Sequence, residues 1–130
     1  PDAFITTDFM LNRLNGLLAN LVVYPENMMK NLNLTGGLVF SQRVLLELPK
    51  LGVSREDAYK IVQRNAMKVW EDLQESKKAI NENGESLFLQ NLLNDSELRE
   101  KLDENAIKEC FDYSYYTKNV DAIFKRVFEI

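Results

Sequence analysis

The stretch YPENMMKNLNLTGGLVFSQRVLLEL, Tyr24 to Leu48, decides the fold of this chain. It joins a proline-led turn, a short helical run, a Gly-Gly break and an apolar helix. Pro25 reads as a stop for the helix before it, because proline pushes its predecessor out of the α region, and Glu26 to Leu32 then reads as a short helical turn. Thr35 is the predicted N-cap of the next helix. Its apolar positions Leu38, Val39, Val44, Leu45 and Leu48 carry that helix to Pro49 and the Gly52 stop.

Upstream, a helix is predicted from about Thr7 to Val22. Phe9, Met10, Leu14, Leu17, Leu18 and Leu21, with Phe4 and Ile5 before them, cover more than one of its faces, so it should be buried on several sides. Downstream, Ser54 with Asp57 forms a capping box with a shortened acid and opens the longest helix. Glu56 also suits the positive end of the helix dipole. Ala58, Ile61, Val62, Ala66, Val69 and Leu73 make one stripe, which Tyr59, Met67 and Trp70 widen. Trp70 is expected in the core, where its truncation would cost most. Lys60, Gln63, Arg64 and Lys68 fall on the opposite side. A polar break follows from Asn81 to Gly84, then two short helices around Asn94 with Asp95 or Ser96 as the second cap. Asp103 or Glu104 begins another turn. A last helix runs from about Asn119 to Phe128, with Val120, Ile123, Phe124 and Val127 on its inner face. The fold class is all α.

With 130 residues and 45% hydrophobic content, the chain can bury one core. Its 16 bases and 20 acids alternate along helix faces. That argues against nucleic acid, which needs clustered Lys and Arg to displace counterions. No apolar run reaches the roughly 18 residues of a membrane helix; Leu14 to Tyr24 is interrupted by Asn15, Gly16 and Asn20. The single cysteine, Cys110, excludes an internal disulfide and any Cys-based zinc site. A lone thiol fits a reducing compartment, the cytoplasm by default. Histidine is absent, which removes the commonest neutral-pH acid/base group and the commonest metal ligand. The chain opens at Pro1 rather than Met, which suggests a piece of something longer.

Two groups of residues could carry binding. At the Thr35-Gly36-Gly37 turn, exposed amides at a helix start can hold an anion, with Ser41 and Arg43 within reach. Against this, a Gly pair also lets two helices meet sharply, and the motif is too short for a phosphate cradle; the structural reading is favoured. Arg43 would then bond a carboxylate or a helix end. The aromatic cluster Phe111, Tyr113, Tyr115 and Tyr116 lacks the interleaved bases of a stacking surface and reads better as a turn that packs the last helix onto the body. The acid pairs Glu71 with Asp72, and Glu97 with Glu100, sit on mixed-charge surface. No metal-ligand spacing is present, and no catalytic residue is assigned.

The Tyr24–Leu48 stretch, LGVSREDAYKIVQRNAMKVWE (Leu51 to Glu71) and CFDYSYYTKNVDAIFKR (Cys110 to Arg126) together resemble the C-terminal domain of the adenylosuccinate lyase family, in the fumarase/aspartase superfamily. The stretch from Asp72 to Glu109 is a weaker match. The resemblance implies two parts: residues 1–23 as the end of a long bundle helix from a middle domain, and residues 24–130 as a C-terminal helical domain. It also implies a parent that releases fumarate from adenylosuccinate and from succinyl-aminoimidazole-carboxamide ribotide by β-elimination, without a cofactor. In the family, the acid and base are histidines and a serine in a loop of the form SSxMPxKxNP, none of which occurs here. The family's phosphate-binding Arg, Ser and Arg precede the Pro-Asp with which this chain opens. Thr35, Gly36, Gly37, Ser41 and Arg43 are left as substrate-proximal candidates. Implied partners are the other domains and subunits of a homotetramer, and copies of the chain are expected to associate through residues 4–21; no nucleic acid or membrane is expected. Carboxymuconate cycloisomerase and argininosuccinate lyase share the asparagine-rich turn and the Gly-containing helix start. A free-standing helical interaction module is the alternative outside enzymes.

Overall fold

The computed structural model describes residues 1–76, 78–80 and 84–128. Among them the regular structure is helical, with one isolated antiparallel bridge between Ile80 and Ser86 and no strand. The expected polar break lies outside the described residues except for Gly84, whose φ is +80°.

The chain divides into Pro1–Lys30 and Asn31–Ile130. In the first unit, α1 (Asp2–Ala19) begins five residues before the predicted Thr7 and ends three before Val22. Pro25 does not stop it. The helix ends at Asn20, whose side-chain amide donates to the Gly16 carbonyl at 2.8 Å, and Pro25 instead opens α2 (Pro25–Asn33). Proline suits a first helical position because the amide it lacks would have no partner there. No residue of α1 is buried, and Phe4, Ile5, Phe9, Met10 and Leu14 are among its large exposed apolar side chains.

The second unit is organised by α3 (Ser41–Lys50) and α4 (Arg55–Ser76). Four short helices follow: α5 (Leu87–Leu93), α6 (Ser96–Arg99), α7 (Glu104–Glu109) and α8 (Ser114–Thr117). α9 (Val120–Phe128) ends the described chain. Val44 and Leu48 of α3 meet Ala58, Ile61 and Val69 of α4, and Phe88, Leu92, Leu98 and Ile107 close the core from the other side. Each large aliphatic or aromatic side chain fully removed from water contributes roughly 1.5–3 kcal/mol. Cys110 belongs to this core, and its thiol donates to the Ala106 carbonyl at 3.3 Å.

Several helix starts are fixed by side chains. Ser54 Oγ accepts from the Asp57 amide at 3.1 Å, the forward half of the cap read from the sequence, while the return bond to Asp57 Oδ2 at 2.8 Å comes from the Ser54 hydroxyl rather than its backbone amide. Asp95 accepts from the Leu98 amide at 3.1 Å and Asp103 from the Ala106 amide at 2.8 Å. Each such cap stabilises its helix by about 1 kcal/mol. α3 ends as expected near Gly52, at φ +84°, although Pro49 lies inside its last turn rather than beyond it.

Three expectations are corrected. Trp70 is 48% exposed, and Tyr59 and Met67 are exposed beside it. Four-residue steps along α4 place Ile61, Asn65 and Val69 on the buried line, and Trp70 falls one residue to its side. Second, Val120, Ile123, Phe124 and Val127 are exposed, so α9 has no inner face within the described residues. Third, Thr35 does not cap α3. It sits in the turn before a 3-10 segment, Leu38–Phe40, that leads into Ser41, and its hydroxyl is buried with no hydrogen-bond partner.

Candidate functional site

The Gly-Gly turn is built for close packing. Gly36 and Gly37 hold φ of +61° and +89°, in the left-handed region where a side chain is strained. A Cβ on Gly36 would stand 2.9 Å from Val69 Cγ1, and one on Gly37 would stand 2.8 Å from Ser86 Cβ. The Gly36 carbonyl accepts from the Phe88 amide at 2.9 Å, tying the turn to the start of α5. Three amides in and just beyond the turn are also engaged: Gly36 donates to the Asn33 carbonyl at 3.0 Å, Leu38 to Thr35 at 3.2 Å and Phe40 to Gly37 at 3.1 Å. Those amides are not free to hold an anion.

Beyond the turn, the candidates separate. Ser41 lines a groove with Tyr59, Val62 and Ala66 on the α4 side. Arg43, two residues later and so over half a helical turn round, lines a different cleft of about 300 Å³ with Tyr115 and Tyr116. Thr35, Gly36 and Gly37 line neither. The Arg43 guanidinium lies 4.0 Å from the Tyr115 ring centroid, and its Nη1 donates to the Asp112 carbonyl at 3.4 Å. Its Nε is buried without a partner. Arg43 thus touches a backbone carbonyl and an aromatic face.

The aromatic cluster splits in the same way. Phe111 and Tyr113 stack against buried Phe40 at centroid distances of 4.9 and 4.8 Å, and Phe111 also meets Phe88. Tyr113 donates its hydroxyl to Asn33 Oδ1 at 3.1 Å, and burial pushes its pKa up. Tyr115 and Tyr116 pack edge to face and stay exposed. Phe111 and Tyr113 anchor the turn, while Tyr115 and Tyr116 face the cleft.

A polar constellation that the sequence reading missed lies on the α4 stripe. Asn65 is fully buried and donates through Nδ2 to the Ile61 carbonyl at 2.8 Å and to Asp95 Oδ2 at 2.6 Å. Arg64 donates to the same carboxylate through Nε at 2.9 Å and Nη2 at 2.8 Å, and its Nη1 meets Glu97 at 2.7 Å. Burial alone would raise the Asp95 pKa. Hydrogen bonds from Asn65, Arg64 and the Leu98 amide outweigh it and hold the carboxyl below its ordinary value. The legible signal was a polar residue at the stripe's centre, four residues from both Ile61 and Val69. With Asp95 acting only as an acceptor at a helix cap, this network ties α4 to α6 and leaves no proton to transfer. Among the described residues, no three acidic or cysteine side chains gather as a metal site would require.

The comparisons with known proteins agree with one another. The model of the adenylosuccinate lyase C-terminus matches residues 37–127. The adenylosuccinate lyase of Helicobacter pylori is 67% identical over 129 residues, which are 99% of this chain and 29% of that protein. Those of Thermotoga maritima and Bacillus subtilis are 44% and 41% identical over 97% and 98% of the chain, or 26% and 27% of their own lengths. The chain therefore spans less than a third of these relatives. A domain-wide match of this kind, carried by relatives that align from end to end of the chain, means that it belongs to the adenylosuccinate lyase family and corresponds to that family's C-terminal part.

Proposed function

We propose that this chain is the C-terminal structural portion of an enzyme that eliminates fumarate from adenylosuccinate and from succinyl-aminoimidazole-carboxamide ribotide. In such a reaction a base removes the proton beside a carboxylate, the C–N bond breaks, and an acid protonates the departing nitrogen. The observation that carries the reading is the identity to adenylosuccinate lyases along nearly the whole chain. The same observation favours this lyase over carboxymuconate cycloisomerase, argininosuccinate lyase or a free-standing module.

Within that enzyme the chain's share is architectural. It holds no histidine, and its buried carboxylate, Asp95, is committed to Asn65, Arg64 and a helix cap. Residues 1–23 are read as the end of a middle-domain bundle helix and residues 24–130 as the C-terminal domain of a cytoplasmic homotetramer. The unpartnered apolar side chains of α1 support this, since large exposed apolar patches are rare on soluble monomers. Of the candidate residues, Arg43 is the one that brings a charged donor to an open cleft. The test is fumarate release from adenylosuccinate by the 130-residue chain at high concentration, followed by absorbance. No turnover above the uncatalysed rate is expected; clear turnover would place chemistry in this chain and overturn the architectural reading.

A further inference from the structure

Tyr115 gathers two cations. Besides Arg43, Lys118 Nζ lies 4.1 Å from the centroid of the same ring. However the two are disposed about the ring, they are no farther apart than these two distances laid end to end, comparable to the screening length of about 8–10 Å at ordinary salt. Neither pairs with a carboxylate among the described residues. Lys50 is held by both oxygens of Glu47 at 2.7 and 2.8 Å. The Asp112 carboxylate is engaged by the Ser114 amide and hydroxyl, and its backbone carbonyl accepts from Arg43. The Arg43 guanidinium, a planar donor, lines the open cleft, and Lys118 lies against the Tyr115 ring.

We propose that Arg43 and Lys118, positioned by the Tyr115 ring, form an anion site that takes a carboxylate. The guanidinium edge suits the two oxygens of a carboxylate. The nearby Glu47 and Asp112 repel a doubly charged phosphate more strongly than a singly charged carboxylate. The ring holds both cations without neutralising them, since its quadrupole attracts positive charge but carries none. The carboxylate comes either as a free ion or as an acidic side chain of a second copy. The inference does not draw on the lyase reading, and its readouts are binding and mass rather than turnover.

The experiment titrates the 130-residue chain with sodium acetate against sodium chloride at equal ionic strength, following the Tyr115 ring and Arg43 Nε–H signals by NMR. A free-ion site gives a saturable shift with acetate alone, weakened about tenfold or more in Arg43→Gln and several-fold in Lys118→Gln, as loss of a charge-assisted contact implies. An acidic side chain of a second copy gives no acetate saturation; instead sedimentation shows self-association weakened about tenfold in both variants. Lys118 is exposed, so Lys118→Gln keeps the test live should Arg43→Gln fail to fold. Acetate behaving like chloride, with self-association unchanged in Lys118→Gln, overturns the proposal.

Discussion

Helices α1 and α4 are of similar length, 18 and 22 residues, and both are rich in apolar side chains, yet α4 anchors a core and α1 buries nothing. The difference lies in angular distribution. α4 keeps Ala58, Ile61, Val62 and Val69 on one buried stripe, and Lys60, Gln63 and Arg64 let much of the remaining surface stay wet. α1 spreads Phe4, Phe9, Leu14, Leu17 and Leu18 around its axis, so no single neighbour could cover them. A stripe can be satisfied within the chain; an all-round apolar helix needs several partners at once. Local sequence thus distinguishes a self-sufficient helix from a dependent one before any packing is seen.

The comparison can be broken at its strongest point, the Gly-Gly turn that closes over α4. Gly37→Ala adds backbone strain and overpacking against Ser86, together about 3 kcal/mol or more. Urea unfolding followed by circular dichroism checks this, and a loss below about 1 kcal/mol would mean the turn yields instead of locking the core. Because Gly36 faces Val69, Gly36→Ala should also destabilise.

A second test concerns the polar knot on the stripe. Asp95→Asn removes an acceptor for Asn65, Arg64 and the Leu98 amide, at a cost of about 2 kcal/mol, moderated because the Arg64 side chain is 42% exposed. The pH dependence has a definite sign. Asp95's folded pKa lies below its ordinary 3.8, so its stabilisation is full above that value and is lost as pH falls through the folded value. Melts between about pH 6 and 2 should therefore fall more steeply for the native chain than for Asp95→Asn. Parallel curves would remove Asp95 from the acid response.

The dependent helix gives the third test. Leu14→Asp with Leu18→Asp should weaken self-association by at least about tenfold, or 1.4 kcal/mol, while leaving the melting of the second unit unchanged. Sedimentation equilibrium reads the first and calorimetry the second. A native chain that is monomeric at micromolar concentration would show that α1 finds no partner among copies. The smallest effect is expected at Trp70, where truncation to Ala of a half-exposed ring should cost about 1 kcal/mol or less, well short of the 3–5 kcal/mol of a buried aromatic.

Most of the fold was legible because its signals are local. The Ser54–Asp57 cap and the Asp95 and Asp103 caps each depend on a side chain within a few residues of the backbone it satisfies, and the Gly52 stop on the positive φ of that residue alone. What failed depends on groups far apart in sequence. Asn65 reads as an interruption of the stripe until Asp95 is known to face it, and Arg64 reads as surface because its stem is long enough to reach that carboxylate from the wet side. Trp70 and α9 were placed inward because large apolar residues at helical spacing imply a partner, but spacing does not say whether the chain itself contains one. Within the candidate site, the Gly pair's structural role was legible from composition. Arg43's setting was not, since Asp112 and Tyr115 lie some seventy residues away.

The placement of Cys110 makes the chain its own stopwatch. The sole thiol is 1% exposed, and burial pushes its pKa up, so both access and thiolate are scarce in the folded state. A thiol-specific reagent can therefore mark this residue only during excursions that expose the C-terminal end of α7. The ratio of its labelling rate to that of a short peptide carrying the same cysteine gives the free energy of those excursions, residue-specific and without denaturant.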